Sequence, residues 1–452
     1  MKKNTNVDML SGSLWSNILK FTLPFMLTTF LQHLYNAADV IIVGRYAENP
    51  TALAGVGTTG SITTLILNMF LGLSVGVSVS LGRAIGAKDE NAVHKTVHTG
   101  IAISVLGGLI VSLIGIFFAE PLLTMIEVPE DVMQQAKIYM QIIFAGKMPS
   151  LIYTFGAAML RANGDTKTPL FIVTVTGIAN VILNLLFVLY FKMNADGVAL
   201  ATTISQILNA IAVLYFLSKR SDNSKFYLNK IKIYKEQLLD IMKIGLPSGI
   251  QSSIFSAANV IVQSNVNSFG AAAMSGAAAA SNICEFYNGA VNSFYQASVS
   301  FVSQNYGAKQ FKRITKIIFT CLTYVAILWA IIVLITLFFK HQLIGLYLPN
   351  DPSAVPWGLK RLLVVGCSYG FLGFMNVMCG ALRGTGLSFS AMISSIIGVI
   401  GIRILWVVAV FPLIGTFESL FLCFPLSWFG TFLLYTGMYF INIKKVQKQG
   451  SL

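Results

Sequence analysis

The sequence predicts an all-α polytopic membrane protein, with twelve transmembrane helices in two six-helix bundles related by a pseudo-two-fold axis along the membrane normal. Three observations carry that prediction. Of 452 residues, 55% are hydrophobic and 11% charged, with a mean hydropathy of +0.74, whereas soluble domains carry about 25% charged residues. Apolar runs of the roughly 20 residues needed to cross a bilayer succeed one another, separated by short charged or Gly/Pro-marked breaks. Finally, the first half of the chain recurs in the second: "ILKFTLPF" from Ile18 returns as "IMKIGLPS" from Ile241, "GRAIGAK" from Gly82 as "SQNYGAK" from Ser303, and "MLRANG" from Met159 as "ALRGTG" from Ala381, at offsets of 223, 221 and 222. A repeat of six spans, an even number, inserts both copies the same way up.

The expected spans run near residues 16–44, 51–82, 93–118, 132–159, 169–191 and 197–217 in an N-lobe of residues 1–217, and near 239–268, 272–303, 314–338, 355–381, 388–411 and 416–441 in a C-lobe of residues 239–452. The polar start and the long, interrupted first apolar run do not form a cleavable signal peptide. Residues 218–238 join the lobes; the basic stretch "SKRSDNSKFYLNKIKIYKEQ" with interspersed apolar residues predicts a short cytoplasmic interfacial helix. About 23 of the Lys and Arg residues fall on the side of the termini and about six on the other, so both termini are expected in the cytoplasm. The net charge of +14 therefore records topology and contact with anionic lipid, and no nucleic-acid partner is expected.

Enzyme chemistry finds little support. The four histidines, His33, His94, His98 and His341, form no metal-spaced cluster, the five cysteines lie scattered in apolar segments as packing residues, and no Walker lysine motif is present. No cofactor or resident metal is expected. Two lobes built from parallel repeats enclose a cavity and favour a transporter working by alternating access.

Along the spans, polar residues stand out against the apolar background. Span 1 carries Pro24, Gln32, Tyr35, Asn36 and Asp39, the last set against the apolar run Val40–Val43. A carboxylate at membrane depth costs about 2.5–3.5 kcal/mol on insertion scales, so Asp39 must face a wet cavity or a partner. Pro24, and its repeat mate Pro247 in span 7, each remove a backbone hydrogen bond and create a weak point. The spacing "GLSVG" from Gly72 permits close helix approach in span 2. In span 5, Asn180 and Asn184 are spaced i, i+4 and share a helix face. Glu285 in span 8 and Arg403 in span 11 are expected to meet as an ion pair inside the C-lobe, because neither should stand alone in an apolar stretch. Gln251 and Asn259 in span 7, and Tyr287, Asn292 and Tyr295 in span 8, join Gln32, Tyr35 and Asn36 as candidates for lining a cavity that takes flat organic cations.

On the prolines, Asp39 and the repeated "GRAIGAK", "SQNYGAK" and "LRANGDTKTP" loops, nearly the whole chain resembles the multidrug and toxic compound extrusion (MATE) family. The resemblance implies an antiporter of the bacterial cell membrane that exchanges cationic, amphipathic drugs for protons or Na+, with Asp39, 15 residues after Pro24, as the coupling acid. It also implies Asn180, Asn184 and Thr202 as partners of that acid, and Pro24 and Pro247 as hinges. At Asn184 one branch of the family has an aspartate, and span 7 here lacks an acid that another branch uses, so protons are the expected coupling ion with Na+ left open. A monomer is expected, since each chain closes its own cavity. The alternative, a flippase or exporter of a lipid-linked or other metabolite, needs several cations in the cavity; within the spans the sequence supplies mainly Arg403 and Lys147.

Overall fold

In a bilayer every backbone N–H and C=O must be paired within its own segment, and a chain this apolar answers with helix. The computed structural model describes residues 6–46, 52–125, 128–349 and 351–449. Among them run α1 (Leu14–Tyr46), α2 (Ala52–Gly86), α3 (Glu90–Phe117), α4 (Ala119–Met125), α5 (Glu130–Ala145), α6 (Lys147–Ala162), α7 (Lys167–Leu185), α8 (Ala195–Ser218), α9 (Lys235–Asn267), α10 (Ala271–Gly307), α11 (Phe311–Tyr347), α12 (Val355–Arg361), α13 (Tyr369–Gly384), α14 (Ser388–Ser395), α15 (Ile402–Leu405), α16 (Phe411–Ile414), α17 (Phe417–Phe421) and α18 (Cys423–Gln449). Taking α5–α6, α12–α13, α14–α16 and α17–α18 as single broken helices, and α4 as a connector, the described residues make twelve successive passes.

Eight of these stretches are long and apolar enough to cross a membrane, and α5–α6, bent by 42° at Gly146, makes a ninth. The polar helices α9 and α10 fall outside that set because they carry Gln251, Asn259, Glu285 and their neighbours. Large apolar side chains stand exposed along the spans, as with Phe117, Phe338 and Leu413, an arrangement suited to lipid and not to water. Four stretches widen into π-helix: Leu186–Tyr190 after α7, Leu362–Gly366 between α12 and α13, and Ile396–Gly401 and Trp406–Val410 on either side of α15. Such widening is rare and tends to mark functional sites.

The chain divides into two compact units. Unit 1 comprises Leu27–Gly249 with the residues up to Val7; unit 2 comprises Asp8–Met26 with Ile250–Leu452. The packing boundary thus differs from the repeat boundary. Both α1 and α9 run unbroken through their prolines, yet each changes unit two residues beyond, after Met26 and after Gly249. The first half of α1 packs in unit 2, where Phe21 meets Phe301 edge-on and Trp15 meets Tyr324. In unit 1 the core gathers Val77, Val97, Phe155, Met159, Val213 and Ile241 from α2, α3, α6, α8 and α9.

The repeated loops are paired helix caps. Lys88 and Lys309 both adopt φ +56°, and Gly164 and Gly386 adopt φ +83° and +81°. Each stop carries the same backbone bond back five residues: Asp89 N to Ala84 O at 3.0 Å, Gln310 N to Asn305 O at 2.8 Å, Asp165 N to Leu160 O at 2.9 Å and Leu387 N to Leu382 O at 2.8 Å. This is the left-handed cap that satisfies the last carbonyls of a helix.

The linker is not the interfacial helix that its composition suggested. Between α8 and α9 only Leu228–Lys230 forms a 3₁₀ turn; the rest is a strap tied to α3. Tyr227 N donates to His98 Nε2 at 3.1 Å, Tyr234 N donates to Thr99 Oγ1 at 3.1 Å, and Phe226 is buried in the unit 1 core. Side-chain acceptors on α3 satisfy backbone donors that a helix would have used internally.

The "GLSVG" stretch does what its small residues allow. A Cβ at Gly72 would fall inside the backbone of Gly249, and one at Gly245 would come within 2.7 Å of Leu73 Cα, so α2 and the first half of α9 touch main chain to main chain within unit 1. Gly72→Val should therefore lower stability by more than about 3 kcal/mol, since backbone cannot yield as a side chain can. Gly437→Ala, with no atom within 4 Å of the added carbon, should cost nothing comparable. Thermal unfolding of the two variants in detergent checks this, and equal midpoints would contradict the packing.

Candidate ion-coupling site

The site is assembled in unit 1 by the second half of α1 with α7 and α8. Gly177 of α7 leaves room for the ring of Tyr35, which occupies the space where a Cβ would stand, and the Tyr35 hydroxyl donates to Thr174 O at 3.4 Å. Thr176 Oγ1, on the residue before Gly177 in α7, donates to Asn209 Oδ1 of α8 at 2.7 Å. With α7 fixed on both sides, its polar face meets Asp39 about one turn further along α1. Asn184 Nδ2 donates to Asp39 Oδ1 and also to Asn180 Oδ1 at 3.3 Å, while Thr202 Oγ1 reaches Asp39 Oδ2 at 3.5 Å.

Asn184 is fully buried, Asn180 is buried and Asp39 is half-buried. Ile42, Val188, Ala195 and Val198 close an apolar cluster next to the acid, with Tyr139 packed against it and within electrostatic reach of Asp39. The structure thus brings together all four residues expected at the acid.

Two features decide the chemistry. Asp39 has no ion pair with a basic side chain among the described residues; its partners are an amide and a hydroxyl, which leave its negative charge uncancelled. In addition, Asn184 Oδ1 is buried with no hydrogen-bond partner, and a buried acceptor left empty costs about 1–3 kcal/mol. Carboxylate, amide and hydroxyl oxygens are the ligands hard cations prefer. The residues present suit either a proton on the carboxylate or a sodium ion among Asp39, Asn180, Asn184 and Thr202.

The remaining cavity candidates fall into separate groups. Gln251 lies in a buried network: its Nε2 donates to Ser395 Oγ and, at 2.9 Å, to Tyr435 OH, while its Oε1 accepts from Arg383 at 2.7 Å. Tyr295 accepts from the same guanidinium through its hydroxyl. Tyr287 is buried and bonded to Thr336 at 3.0 Å, Asn292 is half-buried, and Gln32 and Asn36 are exposed on α1. Gln251, Tyr287 and Tyr295 are therefore internal to unit 2.

The expected ion pair between Glu285 and Arg403 does not form. Arg403, 2% exposed, bonds Asn259 Oδ1 at 2.7 Å and Ser427 Oγ at 3.2 Å, whereas Glu285 is exposed on α10 and accepts only a long bond from Asn288 at 3.4 Å. The reason is helical neighbourhood and phase. Helix α10 packs on α11, α12 and α13, while α15 packs on α18. A cation within electrostatic reach of Glu285 is Arg361 of α12, a residue not singled out in the sequence. Tyr139 carried no signal on an apolar span, whereas Asn209, a polar residue in one, could have been singled out as Asn180 and Asn184 were.

A family model described as MatE matches residues 24–186 and again residues 247–408, once in each repeat. A relative named as the probable multidrug resistance protein YoeA of Bacillus subtilis is 24% identical over 399 residues, covering 87% of this chain and 86% of the relative. A second, named as a FAD transporter of Shewanella oneidensis, is 22% identical over 382 residues and covers 83% of each chain. Among solved structures, an outward-facing multidrug resistance MATE family transporter superposes with a TM-score of 0.90 at 19% identity, covering 99% of this chain and 100% of that one.

If Asn184 holds Asp39 as the geometry shows, Asn184→Ala should destabilise the protein by about 1.5–3 kcal/mol, the range for a hydrogen bond to a charged group. In an Asp39→Asn background the same change should cost at least about 1 kcal/mol less, because the charge it serves is gone. A double-mutant cycle on thermal unfolding in detergent measures the difference, and additive effects would contradict the contact.

Proposed function

The chain belongs to the MatE family, and from that premise we propose that it is a secondary antiporter that exports organic cations or other amphipathic toxic compounds from the cytoplasm in exchange for H+ or Na+ bound at Asp39. The observation that carries the reading is the carboxylate of Asp39 held by neutral donors from two other helices, with an empty amide oxygen beside it. An acid locked to a lysine or arginine could not exchange ions; one supported by an amide and a hydroxyl can bind a cation, release it and keep its place in both states.

The coupling follows from that exchange. With the cation bound, the site is neutral and no longer needs water. With the cation gone, the charge draws in water or a positively charged substrate. The bound ion also adds a bond between α1 and α7–α8, and Pro24, with one backbone bond missing, lets α1 answer by bending. Rocking of one bundle against the other then alternates access, as parallel repeats permit. The substrate is a small molecule, the membrane that of a bacterial cell, and the monomer the working unit. Export of a metabolite instead of a drug is the second reading, favoured by the buried arginines of unit 2 and by the name of the FAD-transporting relative.

Ethidium efflux from proteoliposomes under an imposed proton or sodium gradient tests the proposal. One of the two gradients should drive export, and Asp39→Asn should reduce the driven rate at least about tenfold, a loss of about 1.4 kcal/mol of coupling. Undiminished gradient-driven efflux in Asp39→Asn at equal protein content would refute it.

A further inference from the structure

We infer that unit 2 carries a second ligand subsite of opposite polarity, in which Arg403 binds the carboxylate or phosphate of an aromatic compound. The inference rests on the transport reading and names a substrate class for it.

Arg403 sits on the four-residue helix α15 between the two π-helical stretches, buried at 2% exposure. Its Nε donates to Ser427 Oγ, one terminal nitrogen donates to Asn259 Oδ1, and its guanidinium carbon lies 4.3 Å from the ring centre of Phe424. The other terminal nitrogen has no hydrogen-bond partner among the described residues. A guanidinium stays protonated at every physiological pH, so this is a permanent buried charge answered only by neutral groups, and such a charge is costly unless a counter-charge arrives.

A second cation strengthens the case. Arg361 lies 4.9 Å over Phe421, and the Phe421 and Phe424 rings are stacked with centres 6.2 Å apart. Against these two guanidiniums and Lys360 the neighbourhood holds two acids: Glu285, which reaches Arg361 electrostatically and stands exposed, and Glu418, which pairs with Lys360 at 2.8 Å. The cluster is therefore net positive and lined by rings, the chemistry that takes an aromatic anion.

The repeat gives independent support. At an offset of 223, Asn180 maps onto Arg403, and at 222, Thr202 maps onto Phe424, both within the spread of 221 to 223 shown by the repeated motifs. The place that surrounds the acid in unit 1 is thus occupied in unit 2 by a cation on an aromatic ring. Asn259, whose carbonyl oxygen covers the guanidinium, is itself an exposed residue. An entering anion need displace only that one neutral acceptor.

Riboflavin and riboflavin 5′-phosphate share one fluorescent ring system and differ by one phosphate, so their binding to the purified protein in phosphatidylcholine nanodiscs tests the subsite. The phosphate should bind about tenfold or more tighter, as a charge-assisted contact gives. Asn259→Asp, which supplies an internal carboxylate and an ion pair to the folded unit, should abolish the preference, and Arg403→Gln should do the same. Equal binding of the two flavins, no binding of either, or a preference that survives Asn259→Asp overturns the inference. Adding phosphatidylglycerol should leave the preference intact; its loss would assign the site to a lipid headgroup and overturn the substrate reading. Wild-type ethidium efflux is read separately: phosphate preference without efflux sinks the transport reading alone, and efflux without phosphate preference sinks the subsite alone.

Discussion

A charged side chain inside a bilayer has to be hydrogen-bonded by the protein, and this chain does so with amides and hydroxyls in place of opposite charges. Asp39 is held by Asn184 and Thr202, Arg403 by Asn259 and Ser427, and Arg383 by Gln251 and Tyr295. An ion pair would cancel the field of each group and could be replaced by well-packed apolar residues at little cost. Neutral partners spread the burden without cancelling the charge. What remains is a site that responds to whatever counter-charge enters.

Such sites need firm helix placement, and the surrounding contacts supply it. Gly177 admits Tyr35, Thr176 ties α7 to α8, and Gly72 and Gly245 let α2 meet α9 at the backbone. The two helices that change unit, α1 and α9, do so two residues past a proline, where one backbone bond is missing. Departures from regular helix fall at the prolines of α1 and α9, at the Gly146 bend and in the π-helical stretches, the places where helices are known to bend.

Much of this was legible in the sequence, for reasons that can be named. The repeated "GAK", "RANG" and "RGTG" loops could be found because each needs a left-handed residue after a helix, a requirement that preserves local residue choice. Asn180 and Asn184 could be placed on one face because helical spacing fixes it, and the resemblance supplied the acid they serve. The pairing of Glu285 with Arg403 was not legible. Hydropathy says that a charge is in a span, but neither which helix is its neighbour nor which way it faces, and only the fold puts Glu285 at the surface of unit 2 and Arg403 inside it. The linker misled for a related reason. Its basic and apolar residues suit a lipid surface, yet its backbone donors are taken up by His98 and Thr99, whose availability depends on how α3 is packed.

The duplication explains how two opposite chemistries can share one architecture. Asn180 and Arg403 hold equivalent places in the repeat, and the place of Asp39 falls in the apolar run Val260–Val262, so loss of one acid and gain of one guanidinium change the sign of the site. The signs are not interchangeable in use. A carboxylate can bind and release a proton or a sodium ion, whereas a guanidinium cannot give up its proton in any physiological range. In the proposed antiport, ion exchange therefore resides with Asp39 in unit 1, and the proposed anion subsite gives the cation of unit 2 the task of recognition.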